Sequence, residues 1–114
     1  MNVTLIPSAE FLRNMKKLAK KYKSIGEDYR KLKQSLFDNP FQGVELGGGV
    51  RKIRLSIGSK GGGKSGGARV LTLTILISEN TDVTLLSIYD KSEIDNVNDE
   101  YIKWLVKEAK KRYE

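Results

Sequence analysis

Between Glu45 and Glu79 the chain has no acidic residue, yet Arg51, Lys52, Arg54, Lys60, Lys64 and Arg69 all fall there. Ten of the 11 glycines lie in the overlapping stretch from Gly43 to Gly67. A segment both cationic and rich in bare backbone has chemistry to offer a polyanion: unbalanced positive charge, and main-chain N–H groups that approach a phosphate closely. Two further basic runs flank it, Arg13-Lys16-Lys17-Lys20-Lys21-Lys23 and Lys103-Lys107-Lys110-Lys111-Arg112. Both sit on helical patterns, where Lys on a solvated outer face is the ordinary finding.

The absent residues narrow the chemistry. With 0 His and 0 Cys, His-based triads, His metal sites, thiolate nucleophiles and disulfides are excluded. No metal or cofactor is expected. Lys+Arg of 21 against Asp+Glu of 14 gives a net charge of +7 on 114 residues, and a hydrophobic fraction of 39% suffices for one packed core. A single domain over 1–114 is expected. No apolar run has the roughly 20 residues that span a bilayer. Met1 to Pro7 lacks the features of a signal peptide, so a cytoplasmic protein is expected.

Gly58-Ser59-Lys60-Gly61-Gly62-Gly63-Lys64-Ser65 satisfies the P-loop pattern G-x-x-x-x-G-K-[ST] and follows a strand pattern, and Leu85 to Asp90 imitates the apolar strand and acid that hold magnesium in such proteins. A P-loop must open a helix whose N-terminus completes the anion site. Here Gly66-Gly67 and a β-rich run follow, too soon for a parallel crossover. The segment is predicted to be a hairpin loop instead.

The elements around these residues read as follows. Asn2 to Ile6 is a short strand, ended by Pro7, with Ser8 as an N-cap. Phe11, Met15, Leu18 and Tyr22 form one helical stripe, and Ile25, Tyr29, Leu32 and Leu36 a second, with Ser24-x-x-Glu27 as a capping box; Asn39-Pro40 stops it. Ile53, Leu55 and Ile57 then alternate with Lys52, Arg54 and Ser56, which puts Lys52 and Arg54 on one strand face about 7 Å apart. Ala68 to Ile77 and Val83 to Tyr89 are strands, and Ile102, Leu105, Val106 and Ala109 a third helical stripe. The order β-α-α-β-β-β-α predicts an α+β fold: an antiparallel β-sheet with an N-terminal helical hairpin and a C-terminal helix. On strand parity Arg69 shares its face with Leu71, Leu73 and Ile75 unless a bulge intervenes.

Three segments, Arg51-Lys52-Ile53-Arg54-Leu55, Gly63-Lys64-Ser65-Gly66-Gly67-Ala68-Arg69-Val70 and Leu85-Leu86-Ser87-Ile88-Tyr89-Asp90-Lys91-Ser92-Glu93, together resemble the RelE/ParE toxin superfamily, and the long glycine-lysine loop resembles its HigB-type branch. The resemblance implies the toxin of a type II toxin–antitoxin pair. RelE and HigB members cleave mRNA in the ribosomal A site, whereas ParE members share the fold and act on DNA gyrase. It implies as partners a cognate antitoxin, the ribosome and mRNA, with the antitoxin covering the last helix and the basic cleft. It carries catalytic roles onto Lys52, Arg54, Arg69 and Lys91, and RNA or phosphate contacts onto Arg51, Lys60, Lys64 and Tyr89. The chain departs from the family pattern at Ile94-Asp95-Asn96-Val97, where a Tyr is common and the nearest is Tyr101, and at Val70 to Leu73, which has no aromatic.

The reaction so implied is attack of a 2′-hydroxyl on the neighbouring phosphate. Fixed cations stabilise the charge that builds on the phosphorane and leaving oxygens. Arg69 suits two phosphate oxygens through its planar fork, Lys52 can take the base role, and Lys91 or Arg54 supports the leaving oxygen. A ParE-like inhibitor of gyrase, and a basic RNA-binding module without chemistry, are the alternatives.

Overall fold

The computed structural model describes residues 2–114. The elements are β1 (Asn2–Pro7), α1 (Ala9–Lys21), α2 (Ile25–Asp38), β2 (Val44–Gly47), β3 (Val50–Leu55), β4 (Ala68–Ile77), β5 (Asn80–Asp90) and α3 (Asp99–Lys110), closed by a 3-10 turn at Lys111–Tyr113. The strands form one five-stranded sheet in the order β1-β5-β4-β3-β2. The fold is α+β as predicted, with two departures. The sheet is mixed: β1 runs parallel to β5, from Asn2↔Asn80 to Pro7↔Leu85, because the whole α-hairpin and meander lie between them and supply the long connection that a parallel pair needs. A further strand, β2, forms a glycine-turned hairpin with β3; its four exposed residues carry no alternation strong enough to read.

Two helical layers explain why β4 and β5 are apolar on both faces. Phe11 and Leu18 of α1, and Ile25, Leu32 and Leu36 of α2, pack with Ile53, Leu55, Val70, Val83, Leu85 and Ile88 on one face. On the other face Leu105 of α3 meets Val50, Leu71, Leu73, Leu86 and Tyr89. Ser8 caps α1, its Oγ accepting from the Phe11 N–H at 3.0 Å, and Asn98 caps α3 by accepting from the Tyr101 N–H at 2.8 Å. The expected capping box at Ser24 does not form. Ser24 has helical backbone angles and its Oγ donates to Asp28 instead, while Glu27 binds Arg30.

The P-loop-like segment is a loop between antiparallel β3 and β4, with no helix after it. Gly61, Gly62 and Gly63 all take left-handed φ, of 79°, 78° and 63°, a run that side chains resist. At Gly67 a Cβ would stand 2.1 Å from the Leu55 carbonyl oxygen, so the loop re-enters the sheet only with glycine there.

A candidate phosphate site on the sheet

The register assembles the site. Arg54 on β3 stands opposite Arg69 on β4, and Arg69 opposite Tyr89 on β5, so these three form one cross-strand row. Lys52 lies two residues along β3, opposite Leu71, on the same face. The bulge is not at Gly66-Gly67 but in β5, where Leu71↔Ser87 and Thr72↔Leu85 leave Leu86 unpaired. Arg69 therefore does share its face with Leu71 and Leu73. The face is divided along its length: α3 covers its apolar part, and the basic part lies toward the glycine loop and the segment after β5.

That segment ties the cations together. The Lys91 N–H continues the ladder to the Gly67 carbonyl at 3.0 Å, and its ammonium pairs with the Asp95 carboxylate. Lys52 donates to Asn96 Oδ1 at 3.3 Å. The Asp95 carboxyl is held below its usual range by the Lys91 hydrogen bond and charge, with a further contribution from Lys52. Burial raises the Tyr89 hydroxyl, with Arg69 pulling it down and Asp95 pushing it up, and the hydroxyl oxygen is buried without a hydrogen-bond partner. Lys52, Arg69 and Lys91 thus meet around Asp95 and Tyr89, with Arg54 alongside. Asp95 and Asn96 are invisible as site residues in the sequence, since only the turn after β5 brings them back over the strands.

Arg69 is the least free of the four. It is 7% exposed and donates to the carbonyls of Lys64 at 2.9 Å, Ala68 at 3.1 Å and Ser65 at 3.3 Å. Its fork grips the glycine loop and keeps Nε and one Nη2 hydrogen for other use.

The remaining expected RNA contacts separate. Lys64 is exposed on the loop, beside Arg54. Arg51 alternates onto the opposite face, where it pairs with Glu45 at 2.8 Å and lies over the Phe41 ring, away from the row. Lys60 turns toward α1 and binds Asp90 Oδ1 at 2.7 Å and Ser92 Oγ at 3.1 Å. Asp90 also accepts from the Tyr22 hydroxyl. Burial pushes the Asp90 carboxyl up, but the hydrogen bonds from Lys60, Tyr22 and Ser92 outweigh it and hold the group far below the usual carboxylate range. Asp90 is thus a structural anchor, and among the described residues no group of three acidic side chains gathers into a metal site.

The Tyr101 hydroxyl is engaged by α1 rather than by the row. It donates to Glu10 at 2.6 Å, and burial together with that bond raises it to about 12. Tyr101 lines a cleft of about 520 Å³ between α1 and α3 whose wall includes the carboxylates of Glu10 and Glu93, a poor setting for phosphate.

The fold is a small α+β one whose sheet carries Lys52, Arg54 and Arg69 on one face and no histidine. Residues 7–114 match the family described as the RelE toxin of the RelE / RelB toxin-antitoxin system, and the chain belongs to that family. It is the toxin of a toxin–antitoxin pair, and the family implies an antitoxin as its partner. No helix among the described residues is long and apolar enough to cross a membrane.

Proposed function

We propose that the chain is a ribosome-dependent mRNA endonuclease of the HigB/RelE type that inhibits translation in the cytoplasm. The observation that carries the reading is the meeting of Lys52, Arg54, Arg69 and Lys91 on one part of the sheet, around Tyr89. The 2′-oxygen attacks the adjacent phosphorus and the P–O5′ bond breaks, leaving a 2′,3′-cyclic phosphate and a 5′-hydroxyl. Lys52 takes the 2′-hydroxyl proton, Arg54 and the free donors of Arg69 meet the phosphorane oxygens, and Lys91 protonates the leaving 5′-oxygen. Without histidine the protein's own groups are modest acids and bases. The ribosome supplies in-line geometry, an effect worth up to roughly 7–11 kcal/mol. Asp95 leaves Lys91 when phosphate arrives.

Primer extension on translating ribosomes tests this. Wild type should create new 5′ ends in the A site, and Lys52→Ala or Lys91→Ala should lower their rate by about 100-fold. Intact message together with arrested DNA replication would transfer the chain to gyrase and end the nuclease reading.

A further inference from the structure

A second group of cations lies beyond the row. Strand β2 pairs with β3 only as far as Val44↔Lys52, so past Lys52 the outer edge of β3 has no neighbouring strand among the described residues. Between that edge and α2 is a recess of about 340 Å³, walled by Lys31 and Ser35 of α2, Gln42, Arg54, Ser56 and Lys64. Lys31, Arg54 and Lys64 form no ion pair among the described residues. The one carboxylate in the wall, Asp28, accepts from Ser24 Oγ at 2.7 Å and from the Gly58 N–H at 3.1 Å. Glu27, one turn before Lys31, is bound by Arg30. Three cations therefore face one acid that is already engaged, and their mutual repulsion is relieved by an anion that touches all of them.

We propose that this recess is a second phosphate subsite, which takes a backbone phosphate of the RNA strand whose neighbour is held at the sheet row. The proposal rests on the RNA reading above and extends it. Arg54 belongs to both places, opposite Arg69 in the sheet and in the wall of the recess, so a strand leaving the row crosses the open edge of β3 into it. The recess admits a single nucleotide rather than a helix, and its donors come as separated point charges, which suits a phosphodiester path better than a folded partner.

The test is fluorescence anisotropy of a short labelled single-stranded RNA with the full chain, over a series of salt concentrations. Lys31→Ala and Lys64→Ala remove exposed side chains that hold nothing else in place. The double variant should weaken binding on the order of tenfold and flatten the dependence of log K on log salt by about 0.7 for each phosphate left without its cation. Unchanged affinity and slope would overturn the subsite. So would normal RNA binding with weakened antitoxin binding, which would give the recess to the protein partner. The nuclease reading fails separately, if wild type leaves message intact on ribosomes while RNA binding still depends on Lys31 and Lys64.

Discussion

Asp95 holds the place that a phosphate oxygen takes in the proposed reaction: it faces Lys91 directly and feels Lys52. Its carboxyl stays ionised through the neutral and mildly acidic range, because its cationic neighbours favour the charged form. An exposed pair of this kind is weak enough for substrate to displace. Asp95→Asn should therefore tighten single-stranded RNA binding by about two- to fivefold at low salt, with the gain fading as salt rises. Anisotropy titrations check this, and equal or weaker binding by the variant would show that Asp95 orders the site rather than competing for it. At this scale period two is enough to set Lys52 beside Arg54. Arg51 leaves the expected RNA surface by that same period, which turns it to the opposite face beside Glu45, whereas Lys60 leaves it for a reason local spacing does not state: its partner is Asp90, thirty positions along the chain.

The glycine loop is the element whose behaviour the sequence hides most. Its pattern matches a nucleotide-binding motif, yet the Gly66-Gly67 pair and β-rich run that follow already mark it as a hairpin loop, as the antiparallel pairing of β3 with β4 bears out; what the sequence does not tell is how the loop is held. Two anchors hold it. The fork of Arg69 binds carbonyls on one side, and on the other Lys60 reaches the buried Asp90, which also ties Tyr22 at the end of α1. Arg69→Lys keeps the charge and removes the fork, so trypsin should cut after Lys64 on the order of tenfold faster than in wild type. An unchanged digestion rate would mean that the loop is ordered without Arg69. The Asp90 anchor predicts a pH dependence. Its carboxyl is depressed in the folded chain, so its contribution is complete above the unfolded value near pH 4 and is lost as pH falls below it. Asp90→Ala should lower stability by about 3 kcal/mol at neutral pH, and its unfolding midpoint should fall less than that of wild type between about pH 4 and pH 2. Thermal melts by circular dichroism across that interval check both parts.

For the whole molecule, the helical stripes and the two-sided apolar strands carry most of the architecture: Phe11, Leu18, Leu32 and Leu36 face one side of the sheet and Leu105 the other, as their spacing requires. The parallel edge is not legible, since no local pattern states which way β1 runs beside a strand at the far end of the chain. Charge acts at this scale too. A chain of net +7, with cations on the sheet face, at the edge of β3 and along the outer faces of its helices, projects a field that an incoming polyanion or acidic partner feels before contact. If the antitoxin places acidic side chains on these cations, that field should govern how fast the complex forms more than how long it lasts. Stopped-flow mixing of toxin and antitoxin should then show an association rate that falls about tenfold or more from low to physiological salt, while dissociation changes little. Association indifferent to salt would place the antitoxin's contacts on the apolar surfaces instead and leave the cationic face open in the complex. Such a complex would still bind single-stranded RNA, so one anisotropy titration of it decides between the two arrangements.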